Sequence, residues 1–204
     1  QLQSSAASDV YKRQVLNGLF YSMNWEDYQA TRYVYDYLTV AYVDNVGEAT
    51  IQGAEIESYF NLSDSMSMSI LANFNDPTVD NDTFDMGGDL VASKGNRLAY
   101  VPEKRLVITL DKDFVIAGLP AYFGLDYNYT GDRWADDGNS LSMPSYSLMN
   151  TRLGVDFQSG TTAELFIRNF NDTDPVLGLY DDFSEYRKTS GQPRVIGVRV
   201  RYKF

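Results

Sequence analysis

The sequence predicts an all-β fold: about eight antiparallel, up-and-down strands with the layout of a transmembrane β-barrel. Three observations predict it. Apolar and polar residues alternate in segment after segment, the two-residue period of a strand. Tight turns alternate along the chain with long polar loops, as in outer-membrane barrels. The C-terminus, "RVIGVRVRYKF", is itself an alternating strand whose apolar side closes on two aromatic residues.

The first fourteen residues are set aside. "SSAASDVYKRQ" at 4 to 14 back-translates, codon for codon, into a string resembling a transposase-type sequencing adapter. Residues 1–14 are therefore expected to be a disordered, adapter-derived library artefact, excluded from fold reasoning. The native gene is then expected to continue upstream of Val15. Asp9, Lys12 and Arg13 carry +1 between them, so the remainder carries −12 rather than −11.

The strands follow in order. Leu19, Tyr21, Met23 and Trp25 alternate with Gly18, Ser22 and Asn24. In "ATIQGAEIESYFNL", Ile56, Phe60 and Leu62 oppose Glu55, Glu57 and Asn61. In "SMSMSILANFN", Met66, Met68, Ile70, Ala72 and Phe74 oppose Ser67, Ser69, Asn73 and Asn75. Leu106, Ile108 and Leu110 oppose Arg105, Thr109 and Asp111. Phe123, Leu125, Tyr127 and Tyr129 oppose Gly124, Asp126, Asn128 and Thr130. Met149, Leu153, Val155 and Phe157 oppose Asn150, Arg152, Gly154 and Asp156. Ala163, Leu165 and Ile167 oppose Glu164 and Arg168. Last, Ile196, Val198, Val200, Tyr202 and Phe204 oppose Val195, Gly197, Arg199, Arg201 and Lys203.

"LSDS" at 62–65 and "QSGT" at 158–161 are expected to be tight turns. Residues 77–100, 134–144 and 172–192 are long polar links, and "DFVIAGLPA" at 113–121 is an intermediate one. Periodicity alone leaves two readings of the polar side. It is the solvent face of a soluble β-sandwich binding module, or the lumen of a membrane barrel. Aromatic strand ends at Tyr127, Tyr129, Phe157, Tyr202 and Phe204 favour a girdle at a membrane interface.

Composition narrows the function. The chain has no Cys and no His, which excludes disulfides, thiolate or imidazole metal sites, and catalysis that needs either residue. Its acidity argues against nucleic acid as a partner. Sixteen Tyr and eleven Phe suit strands. No apolar run approaches the ~18 residues of a membrane helix, whereas a membrane strand needs only ~10 alternating ones.

No catalytic constellation, metal site or cofactor is expected. The acidic stretch 76–89 fails the EF-hand pattern, because Phe84 and Asp85 stand where a ligand and Gly are required. It reads as a solvated loop, as do 134–140 and 181–185. Glu55 and Glu57 share a strand face and read as wall contacts. Arg97, Tyr100, Arg133 and Trp134 lie at loop roots and are the candidate ligand-binding residues.

"NVGEATIQGAEIES" at 45–58 resembles a stretch of the TonB-dependent outer-membrane receptors, through Asn45, Gly47, Ala49, Gly53, Glu55 and Glu57. "GNRLAYVPE", "YTGDR", "MPSYSLMNTRLGV", "AELFIRNFNDTDPVLG" and "GQPRVIGVRVRYKF" follow in that family's order, so the resemblance covers essentially residues 15–204. It implies the C-terminal strands of a barrel of about 22 strands with a plugged lumen. Here they would form an open curved sheet. The function implied is uptake of a scarce ligand: a ferric siderophore, a cobalamin or an oligosaccharide. The partners implied are outer-membrane lipid and lipopolysaccharide, the barrel-assembly machinery reading Tyr202 and Phe204, and the TonB complex through an upstream region. A complete eight-stranded barrel, a pore or anchor, is the rival membrane reading.

Overall fold

A computed structural model describes residues 14–34, 40–45, 47–157, 159–182 and 185–203. Sixteen strands lie among them: β1 (Gln14–Trp25), β2 (Gln29–Val34), β3 (Val40–Asn45), β4 (Ala49–Ser63), β5 (Met66–Val79), β6 (Thr83–Phe84), β7 (Leu90–Ala92), β8 (Lys104–Ile116), β9 (Leu119–Thr130), β10 (Arg133–Trp134), β11 (Ser142–Met143), β12 (Tyr146–Phe157), β13 (Thr161–Arg168), β14 (Val176–Asp182), β15 (Glu185–Ser190) and β16 (Val195–Tyr202). Eight of them form one antiparallel sheet in the order β1-β4-β5-β8-β9-β12-β13-β16. This is the expected meander, each wall strand paired with the next.

Opposed residues of an antiparallel pair share a face, so the ladders settle what each face is made of. One row crosses seven strands: Ile196, Ile167, Thr151, Leu125, Leu110, Met68 and Phe60. Its one hydroxyl, Thr151 Oγ1, donates to the Gly124 carbonyl at 3.1 Å. The neighbouring row on the other face reads Gly197, Phe166, Arg152, Gly124, Asp111, Ser67 and Asn61. Ile196 and Val198 are 65% and 70% exposed, while Glu164 on the opposite face is 7% exposed. The wall is thus turned inside out relative to a soluble protein, with its greasy side uncovered.

This overturns the sandwich, because among the described residues no second sheet covers the apolar face. The other sheets among the described residues are two-stranded hairpins: β2–β3, β6–β7, β10–β11 and β14–β15. It also leaves the sheet open. Among the described residues β1 bonds only to β4 and β16 only to β13, so the complete eight-stranded barrel is not what forms.

Three features depart from the sequence reading. The three long links carry hairpins of their own, and so does a fourth connection, residues 26–48, that the sequence reading did not single out. The stretch 113–121 is no intermediate link: β8 and β9 meet at a two-residue turn, Ala117 (φ 50°) and Gly118 (φ 78°). Two positive φ values in sequence match the twist of a tight hairpin. Finally, β1 pairs Leu19 with Glu55 and Tyr21 with Gly53, so its apolar set joins the polar face, while Leu16 and Phe20 lie on the greasy one. Gln14 opens β1 opposite Phe60, one residue inside the stretch set aside; residues 1–13 and Phe204 lie outside the described residues.

The reason for the β1 placement is a small core at the loop end of the polar face. Ala49, Ile51, Val79 and Leu98 are buried there, with Tyr21, Tyr28 and Val101 packed around them. Residues 95–103 bring Leu98 in by continuing the β5 ladder. Gly95 N donates to Val79 O, Val79 N to Asn96 O, Leu98 N to Pro77 O and Asn75 N to Glu103 O.

Candidate functional site

The polar face is held together by charge. Arg152 spans two carboxylates, Asp111 at 2.5 Å and Asp126 at 3.2 Å. Buried Glu164 accepts from Arg199 at 2.9 Å and from the Tyr122 hydroxyl at 2.8 Å. Large side chains on this face lie across a directly paired glycine: Tyr21 on Gly53, Arg152 on Gly124, Tyr122 on Gly154 and Phe166 on Gly197. A Cβ at Gly124 would stand 2.5 Å from the Arg152 Cζ.

At the loop end, all four hairpin-bearing links meet. The β10–β11 hairpin is a knob that caps itself, with Asp136 accepting from the Ser140 and Leu141 amides. It clasps residues 95–101. Asn139, in the left-handed region at φ 56°, accepts from Arg97 N and donates to Arg97 O, both at 2.8 Å. Asp137 accepts from Ala99 N at 2.9 Å and from the Tyr28 hydroxyl at 3.3 Å. Tyr100 N donates to Trp134 O at 2.7 Å. Arg133 extends the junction to β14: its Nη2 donates to Val176 O at 2.7 Å, and its guanidinium sits 5.4 Å from the Tyr146 ring centre.

Of the four sequence candidates, Tyr100, Arg133 and Trp134 therefore converge. Arg97 is turned away, into an ion pair with Glu103. Burial pushes the Tyr100 phenol above its usual range; Tyr180, by charge and by hydrogen bond, pushes the same way, and Arg133 opposes. Sequence reasoning missed Asp137, Asn139 and Tyr180. The signal for the first two was the "DDGN" run, because Asp and Asn turn their side chains onto nearby backbone. Among the described residues no group of three metal-ligating side chains forms. In the acidic loop, Asp85 Oδ1 instead caps its own turn through Gly87 N and Asp89 N, both at 2.9 Å.

The motif residues at 45–57 make separate structural contacts. Asn45 accepts from Gln29 Nε2 at 3.2 Å. Gly47 adopts φ 125°, and Ala49 is fully buried in the small core. Gly53 leaves room for Tyr21, and Glu55 accepts from Asn73 Nδ2 at 2.8 Å. Glu57 lies exposed on the same face. Tyr202 is exposed near the end of β16.

The family model "TonB dependent receptor-like, beta-barrel" matches residues 11–170. The chain belongs to the TonB-dependent receptor β-barrel family. The ferrioxamine receptor of Yersinia enterocolitica is 27% identical over 164 residues, 78% of this chain and 21% of that protein. The chain thus spans about a fifth of the length of that curated relative. In fold it matches the ferric yersiniabactin uptake receptor of Yersinia pestis with a TM-score of 0.79 at 19% identity, over 95% of this chain and 28% of the other. The siderophore receptor PiuA of Acinetobacter baumannii matches with a TM-score of 0.71 at 16% identity, over 92% of this chain and 26% of that one. Family members are β-barrels of the outer membrane. The greasy face is accordingly the lipid face and the polar face lines the lumen.

Proposed function

We propose that the chain is the C-terminal part of the wall of a receptor that takes up a scarce ligand into the periplasm, a ferric siderophore ahead of a cobalamin or an oligosaccharide. The observation that carries this reading is the pairing of an uncovered apolar face with an ion-paired polar one on a single open sheet. Such a face fits a wide, filled lumen better than a narrow one, because charged groups there need hydrated or polypeptide neighbours. A ferrioxamine receptor, a ferric yersiniabactin uptake receptor and a siderophore receptor among the similar proteins support the choice of ligand. Residues 1–14 remain, on this reading, an adapter remnant ahead of the wall.

In the whole receptor, an upstream plug would fill the lumen and contact the TonB complex, outer-membrane lipid and lipopolysaccharide would surround the wall, and the assembly machinery would read Tyr202 and Phe204. Tyr100, Arg133 and Trp134 would meet the incoming ligand, since they gather where three loops close over the mouth. The test is growth on single ferric chelates by iron-starved cells carrying the full-length gene. Growth on at least one chelate, lost when TonB is removed, is expected. Growth unaffected by TonB, or unchanged when the gene is deleted, contradicts the proposal.

A further inference from the structure

The segment 95–101 is held along both edges. Along one edge it extends the β5 ladder, through Gly95 N, Asn96 O and Leu98 N. Along the other, its partners are not a strand but side chains of the β10–β11 knob. Asn139 accepts from Arg97 N and donates to Arg97 O, both at 2.8 Å, as a paired strand residue would. Asp137 accepts from Ala99 N at 2.9 Å, and its own carbonyl accepts from Asn96 Nδ2 at 2.9 Å. The knob also lies close on β7, where a Cβ on Gly138 would stand 2.7 Å from the Val91 carbonyl oxygen. An edge held by side chains opens by rotamer changes, which a ladder of backbone bonds does not allow.

Tyr100 stands at the end of this edge. Leu98 and Val101 both pack on the small core, although residues three apart on a straight strand point to opposite sides. The turn that reconciles them falls on Tyr100, at φ 64°. A bulky side chain is disfavoured in that left-handed region, and such a conformation persists only where the surroundings hold it. Two contacts hold it here. Tyr100 N donates to Trp134 O at 2.7 Å, at the root of the knob, and its phenol hydrogen-bonds Tyr180 of β14. The knob reaches β14 directly as well, through Arg133 Nη2 on Val176 O at 2.7 Å, and it reaches the link 26–48 through Tyr28 on Asp137 at 3.3 Å. One short hairpin thus touches all three other links, and it pins the one strained residue among them that a small or polar side chain does not excuse.

We propose that the β10–β11 knob is a spring-loaded clasp: closed, it fastens the links 26–48, 80–103, 131–145 and 169–194 into one unit, and open, it releases all four together as Tyr100 relaxes out of its left-handed conformation. The links 26–48 and 80–103 are also tied to each other, by Asp80 N on Glu48 O at 2.9 Å and by Asn81 Nδ2 on Glu48 Oε2 at 3.0 Å, so what loosens one loosens the other. The wall strands below are paired along their length and stay out of the transition. The loop end then has two states rather than four independently fluctuating loops, and the clasp sets the balance between them, whatever passes through.

Hydrogen exchange read by mass spectrometry, on the whole 204-residue chain in detergent micelles, tests this. Asn139→Gly removes both Arg97 bonds and keeps the left-handed backbone. The slowest amides of all four links should then exchange faster by one common factor, roughly ten-fold, while the β8, β9 and β12 amides keep their rates. Tyr100→Gly and Tyr100→Ala both delete the ring, and only Gly is at ease at φ 64°. A clasp that holds strain at this residue should exchange roughly five-fold more slowly with Gly than with Ala, again in all four links. This pair leaves Asn139 in place and decides the matter if Asn139→Gly fails to fold. Acceleration confined to 95–103, links that change by unrelated factors, or exchange with Ala as slow as with Gly or slower overturns the proposal. The rates are read without any ligand, so failure of the receptor reading, which shows in growth on ferric chelates, leaves them unchanged.

Discussion

The lumen face is spaced by its glycines. Gly124 gives Arg152 the room to lie flat between Asp111 and Asp126, and a Cβ there would push the guanidinium out of both contacts. Gly124→Ala should therefore destabilise by about 1–3 kcal/mol, as overpacking does. Gly18 faces lipid with nothing within 4 Å of a built Cβ, so Gly18→Ala should be neutral to stabilising, by up to about 1 kcal/mol. Urea unfolding in micelles distinguishes the two signs. Tyr100 offers a pH test. Its pKa in the folded chain is raised, so the stability it contributes is complete below the unfolded value of 10.0 and is lost as pH rises through the higher folded value. Ultraviolet titration should show one late-ionising phenol fewer in Tyr100→Phe than in the parent chain. None of this spacing was readable beforehand, because which residue opposes which glycine depends on register, not on composition.

Period-two alternation made the eight wall strands legible, since each must separate lipid from lumen along its whole length. The loop hairpins have no such constraint. β6–β7 and β10–β11 are built of strands two or three residues long, too short to show a period, and β14, "VLGLYDD", runs apolar without alternating, so nothing in the pattern marks them as strands. β1 shows the limit of parity: alternation says that Leu19 and Tyr21 share a face, but only pairing with Glu55 and Gly53 says which. The β8–β9 turn was hidden by Pro120, a residue that usually marks a strand's end; here it is the second residue of β9, opposite Val115. Ala117 holds φ 50° where Asn is the preferred residue of such a turn. Ala117→Asn should stabilise by about 0.5–1 kcal/mol, a share of the ~1–2 kcal/mol that left-handed backbone costs an ordinary residue. A shift of the unfolding midpoint to higher urea at unchanged slope is the expected result.

For the molecule as a whole, an open wall has two bonding edges and one apolar face uncovered. In detergent-free buffer the chain should aggregate through both, and micelles should keep it dispersed. Depth and side should also matter. Leu165→Arg places a cation on the lipid face and should cost about 2–4 kcal/mol in bilayers, whereas Ser69→Arg, on the lumen face, should cost less. Folding titrations into lipid vesicles measure both. The central claim is that one face of this sheet meets lipid and the other water, and the chain's lack of cysteine gives a clean background for testing it. Single cysteines placed in turn from 195 to 202, labelled with a fluorophore in vesicles, should be quenched by a nitroxide on the lipid tails at Ile196, Val198 and Val200. At Gly197, Arg199 and Arg201 they should respond instead to a water-borne quencher. A two-residue alternation between the quenchers is the predicted result; uniform quenching along the strand by either one would contradict it.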